Sequence, residues 1–265
     1  MSQIDTAAIR AEAADHRWFH RIRIFDDFET PGIDKTPEKL AHLDALGLPR
    51  DMTGKRVLDI GAWDGFFSFE CERRGATVMA LDHVDASATG FHIAARALDS
   101  KVEWRVQNLY HMTPDEIGTF DIVLCLGVIY HLRHVLLGLD RVRGVMKEGA
   151  ELFVETAALD NHAQLDDGTF GSFVEACPGA NRTPLLQFYP GSELNRDATN
   201  FFSPNHAGLL ALLKAAEFEV IADESGSKHL PTRSIARARA VTRPDIAFYR
   251  DRDEAVLCRR TAYKG

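Results

Sequence analysis

Two carboxylates and two glycines carry the first chemistry legible in this chain. Asp59, Gly61 and Gly65 fall in Arg56-Val-Leu-Asp-Ile-Gly-Ala-Trp-Asp-Gly-Phe-Phe, and Asp82 closes the apolar run at 77–81 about twenty residues further on. Glycines at this spacing let the backbone turn sharply and lie close against a ligand, where a Cβ would obstruct. An acid at the tip of the next strand is placed to accept hydrogen bonds from ribose hydroxyls. A phosphate-binding loop would end in Gly-Lys-Ser/Thr, and a dinucleotide fingerprint would read Gly-x-Gly-x-x-Gly; neither is present. The pattern that remains, acidic-x-Gly-x-x-x-Gly, reads as the floor of a nucleotide-type cofactor site.

Elements that would position these residues alternate along the chain. Val57, Leu58 and Ile60 form a buried-type parallel strand, followed by a helix over 66–74 that Gly75 ends. The same logic predicts strands over 77–81, 102–106, 120–125 and 151–155, with helices over 89–98 and 135–146 between them. Thr113-Pro114-Asp115-Glu116 reads as a capping box opening a short helix. Residues 127–132 then lie at the carboxyl ends of the strands, where open α/β sheets hold ligands. Ser203-Pro204 is expected to cap a helix reaching Ala216, with a sixth strand over 218–222 and a closing one over 255–259. The expected fold is α/β, a Rossmann-like doubly wound sheet of seven strands. Residues 1–50 form an N-terminal helical cap, with helices over 4–20 and 37–46, and residues 51–265 form the cofactor-binding domain. The polar, aromatic-rich stretch 157–203 after the fifth strand reads as a lid or acceptor pocket.

At this point the chain resembles the class I S-adenosyl-L-methionine (SAM) methyltransferases. The Asp59/Gly61/Gly65 loop and the strand ending in Asp82 look like their first two motifs, with Trp63 standing where the general pattern has a middle glycine. The resemblance implies SAM as cofactor, held by Asp59, Gly61, Trp63, Gly65, Asp82, His83, Asn108, Leu109, Leu126 and Gly127, with Asn108 toward the adenine. It also implies that the loop of Tyr130 and His131 borders the methyl position. A neutral imidazole titrates near physiological pH, so His131 is the first choice of base, with Tyr130 orienting the acceptor or shielding the sulfonium. His162, His206 and His229 are weaker alternatives.

Gly127-Val-Ile-Tyr-His-Leu-Arg-His-Val-Leu, Glu155-Thr156 and Phe202-Ser-Pro-Asn occur in the same order in the wobble-uridine carboxymethyltransferases of tRNA and their relatives, which the chain resembles over roughly residues 50 to 260. Those enzymes recognise carboxy-SAM through cationic and hydrogen-bonding residues, one an arginine just before the final strand; here that place is expected to hold Glu254. A carboxylate facing a carboxylate is repulsive, so ordinary SAM is the expected donor. Tyr130 retains the family's tyrosine. The tRNA enzymes also carry additional N-terminal sequence that grips RNA, and this chain begins too late for an equivalent.

Composition narrows the partners. The formal charge is −8 and the pI about 5.8, which gives no support for a dedicated nucleic-acid binder. Arg233, Arg237, Arg239 and Arg243 are the local exception and read as a solvated face or an anion-binding loop. Four scattered cysteines without a Cys-x-x-Cys pair read as buried reduced thiols. Asp160, His162, Asp166 and Asp167 are acids and a histidine in a polar loop; they read as solvated, and no metal site is expected. No apolar run is long enough to span a membrane and no secretory signal is present, so a cytoplasmic protein is expected, compatible with a homodimer. The leading expectation is a small-molecule methyltransferase of secondary metabolism acting on O or N. A tRNA-modifying transferase is the runner-up, and a non-catalytic SAM-binding protein the third reading.

Overall fold

Val57 and Leu58 point to opposite faces of one buried strand, β1 (Arg56–Ile60), and the rest of the chain covers it on both sides. The computed structural model describes residues 5–33, 36–226 and 231–243. β2 (Thr77–Asp82), β3 (Glu103–Val106), β4 (Phe120–Leu126) and β5 (Met146–Ala157) run parallel to β1. β6 (Phe218–Ser225) and β7 (Arg233–Ala240) complete a seven-stranded sheet of order β6-β7-β5-β4-β1-β2-β3, with β7 antiparallel to both neighbours. The order reverses direction beside β1, so β1 and β4 flank the crevice in which a doubly wound sheet binds its ligand.

Helices α1 (Thr6–Asp15), α2 (Thr36–Ala45), α3 (Phe66–Arg73), α4 (Phe91–Leu98), α5 (Val135–Gly144) and α6 (His206–Ala215) flank the sheet. Leu58 and Ile60 share a core with Leu139 and Val142 of α5 and Leu209 and Leu213 of α6. On the other face Val57 packs with Leu43 of α2 and Phe67 and Cys71 of α3. A third cluster joins Ile9 and Ala13 of α1 to Phe91, Ile93 and Ala94 of α4. Strand alternation therefore decides where polar residues go: Asp59, on the same face as Val57, points at α3 rather than at solvent.

Several expectations are corrected. The first helix stops at Asp15, and residues 16–30 run instead through extended chain and a hairpin of Arg23–Phe25 with Phe28–Glu29. The Trp18 indole donates to Ala13 O at 2.7 Å, and the next two backbone amides leave the helix for Asp64. The helix expected to be capped by Ser203-Pro204 is capped by Asn205, whose Oδ1 accepts from Gly208 N at 2.8 Å. Phe202–Pro204 stay extended and pair with Leu186–Phe188. After Thr113 there is a single turn, Pro114–Ile117, without a side-chain cap bond. Among the described residues the seventh strand is β7, and the closing strand expected over 255–259 lies outside them.

Ser234, Ala236, Ala238 and Ala240 of β7 are fully buried, while Arg233, Arg237 and Arg239 share the other face. Small residues alternating with charge made a core strand look like a solvated stretch. Each of these arginines faces an acid: Arg233 Nε is 3.3 Å from Glu155, Arg237 is 2.6 Å from Glu151 and Arg239 is 3.6 Å from Glu219. The expected anion-binding or solvated loop is a line of ion pairs.

Cys71 and Cys125 are buried free thiols, and burial pushes Cys125 up to about 12; Cys177 is exposed, against expectation. Among the described residues no helix is long and apolar enough to cross a membrane.

Candidate active site

The loop between β1 and α3 is built by backbone conformations that side chains rarely adopt. Gly61 and Gly65 hold φ of +71° and +84°. Trp63, in the place of the expected middle glycine, also sits in the left-handed region at φ +50°, a strained conformation for a bulky residue. Its amide is held at 3.1 Å from Asp82 Oδ2 at the tip of β2, while Asp82 Oδ1 accepts from His83 N at 2.7 Å and lies 2.9 Å from His83 Nδ1. The Asp82 carboxylate is thus almost buried and fixed between two strand tips, and the His83 ring is exposed beside it. Asn108 follows β3 and turns its Oδ1 back to Tyr110 N; Leu109 beside it is buried.

Asp59 lies beneath this surface. Ser68 of α3 donates to its Oδ2 at 2.6 Å, and burial, with the nearby Asp82 charge, pushes its carboxyl up to about 7. A raised carboxyl favours the protonated fold, so its contribution is fully present below the ordinary carboxylate range and is lost as pH rises toward 7. Asp59→Asn is expected to abolish this slope, which amounts to about 4 kcal/mol between pH 4 and pH 7.5. Denaturant melts of both proteins at the two pH values check it; equal losses in wild type and variant would reject the assignment.

A residue the sequence reading passed over ties the N-terminal arm to this loop. Asp64 is fully buried and accepts from Phe19 N at 2.7 Å, His20 N at 2.9 Å and Gly90 N at 2.9 Å. Three amides from two distant segments converge on one carboxylate between the cofactor-loop glycines. Trp18 lies on Gly90, whose missing side chain makes room for the indole. Removing Asp64 orphans those amides, so Asp64→Ala is expected to cost about 3 kcal/mol and to loosen residues 16–33. Limited proteolysis reads the outcome: an arm as resistant in the variant as in wild type would contradict this role. The available signal was an acid beside a glycine in a loop already rich in conformational demands.

The second half of the site follows β4. Gly127 turns with φ +76°, and its amide donates to Glu155 O of β5 at 2.9 Å. Leu126, the last residue of β4, lies opposite Glu155 in the β4–β5 register. Gly61 comes so near this turn that a Cβ on it would stand 2.6 Å from Val128 Cγ2. The loops after β1 and β4 therefore pack against each other through the Val128 side chain, which fills the place a Gly61 Cβ would take. Tyr130 is buried and its ring lies 4.3 Å from that of His131. His131 Nδ1 is 3.2 Å from Thr199 O and 3.0 Å from Thr199 Oγ1, while the Thr199 hydroxyl and amide are held by Asp197. A carbonyl only accepts, so this contact places the proton on Nδ1 and leaves the lone pair on Nε2. Burial lowers the imidazole below its ordinary value against the opposing pull of the Thr199 contact, with Arg233 and His83 adding to the lowering.

Residues 157–203 meet this loop from the far side. Tyr130 clusters with Ala157, Tyr189, Leu194 and Phe170, and Phe170 stacks on His162 at 4.5 Å. Phe201 N donates to Tyr130 O, anchoring the stretch to the β4 loop. Arg233 stands over the Tyr130 ring at 5.4 Å. His206, a weaker candidate, is engaged elsewhere, with Nδ1 2.7 Å from Ser234 Oγ and Nε2 2.8 Å from Asp223. His229 and Glu254 lie outside the described residues. Asp160 accepts from His206 N, and Asp167 from Thr169. Among the described residues no three metal-type ligands converge.

Residues 34–223 match the family described as a methyltransferase domain. The chain belongs to that family. A ubiquinone biosynthesis O-methyltransferase of Xanthomonas oryzae pv. oryzae is 27% identical over 219 residues, covering 80% of this chain and 84% of the relative. The 1,6-didemethyltoxoflavin-N1-methyltransferase of Burkholderia thailandensis, solved with its substrate and S-adenosylhomocysteine (SAH), superposes with a TM-score of 0.53 at 16% identity over 78% of each chain. The magnesium protoporphyrin IX methyltransferase of Synechocystis, solved with SAM, gives 0.51 at 16% identity over 77% of each. The protein is a SAM-dependent class I methyltransferase. The residues that could hold that cofactor are the positive-φ turns at Gly61, Gly65 and Gly127 and Asp82, whose carboxylate is fixed at the tip of β2.

Proposed function

We propose that this methyltransferase moves a methyl group to an oxygen or nitrogen nucleophile of a small molecule, in secondary metabolism. The observation that carries this reading is the placement of His131, with Nε2 left as the lone-pair nitrogen, beside the aromatic cluster of Tyr130, Phe170 and Tyr189. Aromatic surfaces of this kind suit a planar organic acceptor. Asp82 would hold the ribose, with Gly61, Trp63, Gly65, Asn108, Leu126 and Gly127 shaping the cofactor's bed and Asp59 bracing it from below. When bound, SAM supplies an electrophilic methyl on a sulfonium, so no further activation of the donor is required. The chain's part is to orient the acceptor and remove its proton. Held near the attacking geometry, the acceptor needs little more than alignment. His131 Nε2 takes the proton from a hydroxyl or ammonium, and Tyr130 fixes the acceptor ring. Residues 1–50 would act as a cap and 157–203 as a lid that excludes water.

Support comes also from the relatives, whose printed names include O- and N-methylation of small molecules. The arginines that a tRNA platform would use face glutamates in β7's neighbours, which disfavours that alternative. Methyl-labelled SAM incubated with the protein and either bulk tRNA or a small-molecule extract of its host tests the reading. Label in a small molecule is expected; label in tRNA would overturn it, and the product mass would separate methyl from carboxymethyl transfer.

A further inference from the structure

Glu155 ends a run of fully buried apolar residues, Leu152, Phe153 and Val154, and is itself only 1% exposed. Among the described residues, neither of its carboxylate oxygens receives a hydrogen bond. Its partner is the Arg233 guanidinium, whose Nε lies 3.3 Å from Oε1. The pair balances charge and leaves the lone pairs of the carboxylate unserved. A buried carboxylate normally accepts several hydrogen bonds, so one without any is an unexplained group.

Its direction is set by Gly127. A Cβ built on that glycine would stand 3.6 Å from Glu155 Oε2 and 3.6 Å from the Tyr130 hydroxyl. The space a Gly127 side chain would take is therefore bounded by two polar groups, at the tip of β4 beside the loop of Tyr130 and His131. Arg233 stands over the Tyr130 ring and completes the wall.

We propose that Glu155 is a specificity-determining residue that anchors the acceptor by accepting a hydrogen bond from a second donor group on it, a hydroxyl or an amine, with Arg233 holding the carboxylate in place. This rests on the proposed transfer to a small molecule and names its acceptor class: a planar molecule with one nucleophile for His131 and a further O–H or N–H at the buried end. Acceptors bearing a carboxylate or phosphate there are repelled by Glu155, and those whose second donor is already methylated leave the carboxylate unpaired. A site built to bind a hydroxyl rejects the analogue lacking it by about four orders of magnitude in kcat/KM in the most selective cases.

The test uses the full chain, methyl-labelled SAM and the host small-molecule extract as probe, with wild type, Glu155→Gln and the charge-balanced Glu155→Gln/Arg233→Gln. The labelled product identifies the acceptor, whose kinetics are then measured, and SAH titration reads the cofactor site separately. Glu155→Gln is expected to raise the acceptor KM about tenfold, the difference between a charged and a neutral acceptor of one hydrogen bond, with SAH affinity unchanged. The double variant restores charge balance, so it folds even where the single variant does not, and it is expected to keep the raised KM. A wild-type KM in either variant would overturn the proposal and reduce the pair to a structural contact. An identified acceptor with no second donor group would also overturn it. No label in any small molecule with wild type would instead sink the proposed function, and this inference with it.

Discussion

Replacing Gly65 with alanine is expected to abolish cofactor binding and to destabilise the fold by about 3 kcal/mol, through overpacking and backbone strain together. Gly65 has φ +84°, a region that costs an alanine free energy in any surroundings. Its surroundings add to this, because a Cβ there would stand 2.5 Å from Phe91 Cδ2 and 2.8 Å from Phe69 Cε2. Those rings are stacked on each other at 5.0 Å, one from α3 and one from α4, so neither can move without disturbing the other. The relief available is a shift of the loop itself, which carries Trp63 N and the Asp82 contact with it. Gly54 supplies the control: its φ is +74°, yet nothing lies within 4 Å of a Cβ built there. Gly54→Ala is expected to show backbone strain of about 1 kcal/mol and wild-type SAH affinity. SAH titration with thermal melts compares the three proteins. Wild-type SAH affinity in Gly65→Ala would mean that the loop is not where the cofactor sits.

The parts of this arrangement that were legible in the sequence are those whose physics is local. A buried parallel strand must be apolar, a sharp turn after it must use glycine, and the tip of the next strand can be recognised by where the apolar run ends. Asp59, Gly61, Gly65, Asp82 and the Gly127–His131 segment could be named on those grounds, and the doubly wound sheet follows from their alternation. Trp63 shows the limit of the same logic. The backbone demands a left-handed residue there, and a tryptophan supplies it with a hydrogen bond to Asp82 as compensation.

What escaped depends on partners far away in the chain. Asp64 has no local pattern that reveals its three amides, two of them more than forty residues upstream. β7 hid because its outward residues are arginines, and their glutamates lie on β5 and β6. Glu155 was visible as a motif residue, but only the sheet shows that it is a buried carboxylate with no hydrogen bond from the described residues. Site chemistry that rests on tertiary pairing is readable only once the pairing is known.

The second large effect concerns His131. His131→Ala is expected to lower kcat by about 100- to 10,000-fold, the range for losing a general base, and to leave SAH affinity unchanged. The opposing account is that the histidine merely ties the β4 loop to Thr199. That account predicts a loss of stability and a loop that no longer holds Tyr130, with a raised KM and modest change in kcat. The two separate in the pH profile. Burial lowers the imidazole, so the neutral base exists at a more acid pH than for a free histidine. In wild type kcat should therefore rise with pH through a value below 6.5 and stay flat above it. In His131→Ala the acid limb should vanish, and the remaining rate should climb with pH as hydroxide or the acceptor's own ionisation replaces the base. Thr199→Val sharpens the distinction, because it removes the hydroxyl and keeps the carbonyl that fixes the tautomer. Its kcat is expected to stay within about tenfold of wild type, since loss of one neutral hydrogen bond is worth about 0.5–1.5 kcal/mol and the proton remains on Nδ1. A profile with the same acid limb in wild type and His131→Ala would assign the proton transfer to another group.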